Sequence, residues 1–224
     1  MTVGIWYEQD FLYKGASIHF ETKNDSFVRI CLVYKRMGVK NAYWPLALID
    51  TDLKYVDPWD PNLSDVMKAR IARECKLNPI YFFREVQRIP AAGDKPIPYQ
   101  ATRGNMALIW SFFNDVDIGL VQPRQTGKTY GTQAIVNYMM CILAENIDIG
   151  LFTKDSALVQ DNTSRLKELK SEGIPSWMVI KSPKDWDRKE GVSYALKKNY
   201  YKTFTSANDE RSANKLGRKL STAA

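Results

Sequence analysis

Cysteine and histidine are scarce in this chain of 224 residues. Its three cysteines, Cys31, Cys75 and Cys141, lie far apart, so the sequence has no CxxC metal or redox motif. A sparse and odd number of cysteines is typical of proteins in a reducing compartment. The single histidine, His19, falls in a predicted strand with no cysteine nearby. We therefore interpret His19 as a structural residue, and a histidine-based catalytic triad is excluded unless His19 is its base.

Leader-like and membrane-spanning sequences are also missing. Residues 1–10 have neither the basic nor the apolar region of a signal peptide. The longest apolar stretch, residues 134–144, is interrupted by Asn137 and is much shorter than the ~20 residues that a membrane span needs. We expect a soluble, intracellular protein that has no contact with a membrane.

Acidic residues are fewest, relative to basic ones, in the last third of the chain. The formal net charge is +7, and residues 160–224 carry 14 Lys or Arg against 8 Asp or Glu, a net +6. Such a basic segment is able to attract a polyanion such as nucleic acid. The alternative is a solvated, lysine-rich surface, which the mixture of both signs in residues 184–190 favours.

Residues 1–62 are rich in aromatic and β-branched side chains and predict a small β-rich appendage. Residues 16–22 and 27–36 alternate like two strands, with a turn at 23–26 between them. Residues 43–49 predict a third strand, which Pro45 places at an edge. The prolines of residues 57–62 mark a boundary, so we expect the second domain to begin at residue 63.

Residues 63–113 have mostly helical patterns. Ser64 is positioned to cap a helix with apolar positions at Val66, Met67 and Ile71. A second helical stretch is predicted from about residue 79 to 87, and a third over 103–113. The four Pro and Gly residues between 89 and 98 predict a loop.

From residue 117 the pattern changes to alternating strands and helices. Residues 118–121 and 147–152 are short apolar runs, typical of buried parallel strands. Helices are predicted over 130–145 and 156–169. This strand–helix–strand–helix order predicts an α/β fold with a parallel sheet.

The loop between the first of these strands and its helix contains a phosphate-binding motif. Residues 122–129 match the end of the P-loop pattern G-x-x-x-x-G-K-[ST], although Gln122 replaces the opening glycine. At the start of a helix, backbone N–H groups point at a bound phosphate and the helix dipole favours its charge. Lys128 would then reach the β- and γ-phosphates, and Thr129 would hold Mg²⁺. The alternative is an ordinary strand-to-helix loop in which Gly127 makes a turn.

The segment from Arg124 to Thr129 resembles the deviant P-loop of the large terminase subunit of tailed double-stranded-DNA bacteriophages. This family packages viral DNA into a preformed capsid. Residues 80–83 resemble its pre-ATPase helix, and residues 206–208 and 215–218 resemble the polar segment before its Walker B strand. The match covers roughly residues 63–224 and implies a helicase-like P-loop NTPase fold, with residues 1–62 as a separate appendage.

The resemblance implies a set of ATP-binding residues. Tyr99 and Gln100 resemble the pair that recognises adenine; the alternative is that they only make a turn and begin a helix. Arg124 resembles an arginine finger, a group worth roughly 10³–10⁵ in rate, unless it pairs with an acid at the edge of the sheet. Gln125 is expected to shape the loop. The expected contacts to ATP are Tyr99, Gln100, Gln125, Thr126, Gly127, Lys128, Thr129 and Tyr130, with Mg²⁺ on Thr129 and with Arg124 and Lys128 as the catalytic candidates.

An apolar strand ending in Asp-Glu, which a P-loop ATPase uses to organise Mg²⁺ and water, is not found after Thr129. The family's C-terminal nuclease is not found either. We therefore expect the chain to be the N-terminal part of a terminase ATPase, ending before Walker B, whose missing acids come from a further portion in cis or in trans. Alone, it is not expected to hydrolyse ATP at the rate of a motor.

The resemblance also implies partners and a location. These are double-stranded DNA, the capsid portal, the small terminase subunit and other copies of the same chain, in the host cytoplasm and transiently at the portal. Two alternatives stay open on the sequence alone. One is a non-catalytic nucleotide-binding or regulatory protein, and the other is a different helicase-like P-loop ATPase that acts on nucleic acid.

Overall fold

The computed structural model describes residues 16–91, 93–121 and 127–205 of the chain, without the side chains of residues 93 and 94. At the N-terminal side, strand β1 (Ser17–Ile18) pairs antiparallel with β2 (Ala47–Leu48). Helix α1 (Asp25–Arg36) lies between them in sequence. Short 3-10 turns, Trp44–Leu46 and Thr51–Leu53, flank β2.

The strand predicted over residues 27–36 is wrong, because these residues belong to helix α1. Phe27, Ile30 and Cys31 are buried at the i, i+3, i+4 spacing of one helix face. Asp25 lies in the first turn and two basic residues lie in the last, where each charge complements the helix dipole. Of the predicted strands at residues 16–22 and 43–49, only two residues each form a strand. The described part of residues 1–62 is therefore mainly helix and turn rather than β-rich.

Three helical predictions between residues 63 and 113 are confirmed. Helix α2 (Asp65–Leu77) begins after Ser64, whose hydroxyl accepts a hydrogen bond from the Met67 N–H at 3.3 Å. Helix α3 (Pro79–Tyr81) continues into a π-helical turn, Phe82–Val86. Helix α4 (Arg103–Phe113) is capped by Thr102.

The loop predicted over residues 89–98 is instead an antiparallel hairpin. Strand β3 (Arg88–Ala91) pairs with β4 (Gly93–Pro98), with Ile89 opposite Ile97. A two-stranded ribbon consists of edge strands only, and edge strands tolerate proline because one side of each strand makes no ladder hydrogen bonds. The prolines therefore did not prevent strand formation here.

From its first helix onward, the C-terminal half follows the predicted helix–strand–helix order. Helix α5 (Lys128–Tyr138) continues into a π-helical turn, Met139–Leu143. It is followed by strand β5 (Asp148–Thr153) and helix α6 (Ser156–Ser171). Strands β6 (Gly191–Tyr194) and β7 (Asn199–Thr205) complete a sheet of order β5-β7-β6. Strands β5 and β7 are parallel, as expected for this class, whereas β6 runs antiparallel to β7.

Residues 118–121 do not form the predicted buried strand. They have no regular secondary structure, and Ile118, Leu120 and Val121 are 41%, 38% and 97% exposed. An apolar run becomes a buried strand only where a neighbouring strand supplies hydrogen bonds and other layers cover both faces. Within the described residues, no strand pairs with this segment. The predicted strand over 147–152 does form, as β5, but Phe152 is half exposed.

The core is one cluster that extends from helix α1 to strand β7. Its centre is aromatic, with the ring centroids of Phe83 and Tyr138 5.6 Å apart and those of Phe82 and Tyr138 5.0 Å apart. The Trp59 indole N–H donates to the Val86 carbonyl at 2.9 Å, so the segment before residue 63 is tied to this core. Within the described ranges, none of the helices combines the length and the apolar composition required of a membrane-crossing helix.

Candidate nucleotide-binding site

Gly127 forms the start of helix α5. It is the N-cap residue and has a left-handed backbone, with φ of 77° and ψ of 8°. Apart from its chain neighbours and the backbone of its own helix, no described residue has an atom within 4 Å of the position that a Cβ would occupy, and the positive φ by itself favours glycine. Lys128, Thr129 and Tyr130 follow as the first turn, whose N–H groups have no carbonyl partners within the helix. The sequence therefore places a lysine and a hydroxyl in the first turn of a helix that begins at a left-handed glycine.

Helix α4 brings the Tyr99–Gln100 segment close to this first turn. A Cβ on Gly131 would meet the Asn105 Oδ1 at 2.9 Å, so the two helices touch where α5 begins its second turn. The Asn105 amide donates to the Gln100 carbonyl at 2.8 Å. A single side chain thus connects Gln100 to the start of α5. The adenine-recognition role of Tyr99 and Gln100 stays a prediction.

Tyr99 and Gln100 differ in their surroundings. Tyr99 is 1% exposed, and its ring centroid lies 5.4 Å from that of Phe83. Burial raises the pKa of its phenol well above the usual range. Gln100 is half-buried, and its amide donates to the Pro98 carbonyl at 2.7 Å. Because the Tyr99 ring is part of the core, the Gln100 side chain is the member of the pair better placed to contact a base.

Tyr130 connects the first turn of α5 to helix α6. Its hydroxyl donates to a Glu168 carboxylate oxygen at 3.2 Å, and the Arg165 guanidinium lies 5.4 Å from its ring centroid. Burial, followed by the charge of Glu168, raises the pKa of Tyr130. No sequence pattern indicates a role for Arg165 or Glu168, because charged residues along a helix are ordinary and their partner, Tyr130, lies in another element.

A second concave region lies at the carboxyl ends of β5 and β7, where ligands bind in many parallel sheets. This groove has a volume of about 430 Å³ and includes Ser156, Lys189 and Lys202 in its lining. Ser156 and Glu168 are 12 positions apart on α6, a separation of about 18 Å along the helix axis. Helix α5 contacts α6 at more than one level: the Tyr130 hydroxyl reaches Glu168, and the Gln133 Nε2 lies 3.5 Å from the Asn162 Oδ1.

Several expected site residues lie outside the described residues. These are Arg124, Gln125 and Thr126, together with the polar segments 206–208 and 215–218. The arginine-finger and loop-shaping roles therefore stay predictions. In the described ranges, no group of three or more His, Cys, Asp or Glu residues is arranged to hold a metal ion. Thr129 is half-buried in the first turn of α5 and stays the candidate ligand for Mg²⁺.

The chain was also compared with known proteins. No protein-family model matches the sequence, and the search of curated proteins finds no similar sequence.

Proposed function

We propose that the chain binds ATP at the start of helix α5, as the nucleotide-binding part of a viral DNA-packaging ATPase. The observation that carries the proposal is the left-handed Gly127 followed directly by Lys128 and Thr129 at the start of that helix. The residues that precede Gly127 match the deviant P-loop in sequence. A helix start with a lysine at its first position favours a phosphate group through both its N–H groups and its charge.

The residues present fit the phosphates of ATP. Glycine has no Cβ, so a phosphate oxygen would be able to approach the backbone at Gly127 closely. Lys128 would neutralise charge on the β- and γ-phosphates, and the Thr129 hydroxyl would complete the magnesium shell. Gln100, held near this turn through Asn105, would contact the adenine edge. When bound, ATP supplies the phosphoanhydride bond whose hydrolysis drives movement of DNA.

Double-stranded DNA is the proposed substrate of the motor. The net charge of +7 favours attraction to a duplex, and the basic residues of 160–224 are the proposed contact. Binding through phosphates should weaken steeply as salt rises; an unchanged affinity between low and physiological salt would contradict this contact. The portal, the small terminase subunit and further copies of the chain are proposed partners on the capsid in the host cytoplasm.

Isothermal titration calorimetry with Mg-ATP and Mg-ADP tests the nucleotide site. Lys128→Ala should weaken binding by at least about tenfold, because it removes the charge that faces the phosphates. Lys167→Ala is the matched control, since Lys167 is also a half-buried helical lysine but lies on α6. Equal affinities of wild type and Lys128→Ala would reject the proposed site.

A further inference from the structure

Helices α4 and α5 meet at a close contact between two buried residues, Asn105 and Gly131. A Cβ on Gly131 would lie 2.9 Å from the Asn105 Oδ1 and 3.5 Å from a Leu108 methyl carbon, so the absence of a side chain at Gly131 allows α4 to lie this close. The Gly131 N–H donates to the Gly127 carbonyl at 2.9 Å, which closes the first turn of α5. The contact therefore lies at the end of the turn that is proposed to hold the phosphates.

The Asn105 side chain that faces Gly131 also fixes the backbone of Gln100. Its amide nitrogen donates to the Gln100 carbonyl at 2.8 Å. A Cβ added at Gly131 would require the Asn105 side chain to move, because 2.9 Å is shorter than a Cβ contact allows. Since that side chain is hydrogen-bonded to Gln100, its movement would strain or break the bond. The spacing between Gln100 and the first turn of α5 thus depends on one asparagine and one glycine.

The Gln100 side chain has the donor and the acceptor that the edge of adenine requires. One of the two Nε2 protons is donated to the Pro98 carbonyl at 2.7 Å, which leaves the second proton and the Oε1 lone pairs for a ligand. Adenine presents an acceptor and a donor side by side at N7 and N6, whereas guanine presents two acceptors at N7 and O6. A glutamine amide therefore complements adenine, but its oxygen would face an acceptor on guanine.

We propose that Asn105 is a positioning residue which, through its contact with Gly131, holds Gln100 where one nucleotide reaches both Gln100 and the turn at residues 127–129. This role rests on the proposed function, because it takes the phosphates to lie at the start of α5 and the base to lie at Gln100. Selectivity for adenine is then set by the contact between α4 and α5 and not by the residues that bind phosphate. Removing Asn105, or filling the space at Gly131, reduces the discrimination between bases without changing the affinity for phosphates alone.

Isothermal titration calorimetry of the whole chain with Mg-ATP, Mg-GTP and Mg-tripolyphosphate tests the proposal. The wild type should bind ATP about five- to tenfold more tightly than GTP, because a matched pair of hydrogen bonds discriminates against the wrong base. Asn105→Ala should bring the two affinities within about twofold of each other, while its affinity for tripolyphosphate stays within about twofold of the wild type, because Asn105 does not contact the phosphates. A general loss of structure would instead lower all three affinities together.

Asn114→Ala is the matched control. Asn114 is a half-buried asparagine whose amide donates to the Trp110 carbonyl at 2.8 Å, but it lies at the C-terminal end of α4, about 14 Å along the helix from Asn105. This variant should keep the ATP-to-GTP preference of the wild type.

Gly131→Ala disturbs the same contact from the other helix and should lower the preference for ATP as Asn105→Ala does. In the Asn105→Ala background, Gly131→Ala should cause no further loss, because the Oδ1 atom that its Cβ would meet is gone. Gly131→Ala alone decides the question if Asn105→Ala does not fold.

Three results would overturn the proposal. The first is equal affinity of the wild type for ATP and GTP. The second is a wild-type preference for ATP in Asn105→Ala or in Gly131→Ala. The third is an equal loss of ATP and tripolyphosphate affinity in these variants, which would indicate a structural role only. Tripolyphosphate binding that is lost in Lys128→Ala would support the phosphate site whatever the base preference, whereas no binding of tripolyphosphate to the wild type would reject that site and the positioning role with it.

Discussion

Gly127 is the residue whose backbone sets the direction in which the chain enters helix α5. Its left-handed φ of 77° is disfavoured for residues with a Cβ, and no described residue beyond its neighbours and its own helix backbone comes within 4 Å of that Cβ position. Gly127→Ala should therefore lower the free energy of unfolding by about 1 kcal/mol. Urea unfolding measures this, with Gly119→Ala as the control, because Gly119 has open space but no positive φ. Equal stabilities of the two variants would contradict the proposed strain.

His19 should make stability depend on pH below neutrality. Its folded-state pKa is lowered by burial and by the Arg84 charge, so the unfolded chain binds more protons near pH 6.5 than the folded chain does. The contribution of His19 is thus fully present above about pH 6.5 and is lost as the pH falls through the lowered pKa. Since the sequence has no other histidine, His19→Gln should flatten this dependence. The urea midpoint measured at several pH values tests this. The same change of midpoint with pH in His19→Gln as in the wild type would contradict the prediction.

Part of the candidate site could be predicted from the sequence alone. Gly127, Lys128 and Thr129 are adjacent in sequence, so their placement at one helix start follows from local pattern. The contacts that hold this turn were not predictable in the same way. Asn105 and Glu168 reach it from two other helices, and nothing in the pattern of either helix specifies which side chain will face α5.

At the scale of elements, Asp155 stabilises the start of helix α6. Its carboxylate accepts a hydrogen bond from the Leu158 N–H at 2.9 Å. Asp155→Ala should lower the free energy of unfolding by about 1 kcal/mol, because a first-turn N–H loses its acceptor. Asp155→Asn keeps an acceptor oxygen and should cost much less. Thermal unfolding that gives the same loss for both variants would show that the cap is not the source of the stability.

Helices were more predictable than strands for a physical reason. Helix signals are local. Ser64 as a cap predicts where α2 starts, and the pattern of residues 103–113 predicts the span of α4. Strands depend on partners far away in sequence. The sequence pattern predicts a loop where β3 and β4 form a hairpin, and it predicts a strand at residues 118–121, which have no regular secondary structure. Strand β7 alternates in burial, with Tyr201 buried and Tyr200 half-buried, but its partner β5 lies about 50 residues earlier.

At the scale of the whole molecule, the core continues across the predicted domain boundary at residue 62. The Asn24 amide donates to the carbonyls of Arg84 and Tyr99 at 3.0 and 2.9 Å, and the Trp177 indole donates to the Pro58 carbonyl at 2.9 Å. We therefore expect one cooperative unfolding transition, because neither side can lose its structure without exposing the other.

Scanning calorimetry tests this expectation. The calorimetric and van't Hoff enthalpies should agree, and Asn24→Ala should move the single transition to a lower temperature without splitting it. Ser171→Ala is a suitable control, because the exposed Ser171 only donates locally to the Glu168 carbonyl. Two separable transitions in the wild type would instead support residues 1–62 as an independent appendage.

Backbone amide shifts on addition of Mg-ADP test the central proposal most directly, because they locate the bound phosphates on the chain. The largest changes should fall on the N–H groups of Gly127, Lys128 and Thr129, and they should disappear in Lys128→Ala while persisting in Lys167→Ala. Absence of any change, or changes confined to the groove lined by Ser156 and Lys202, would contradict a phosphate site at the start of helix α5.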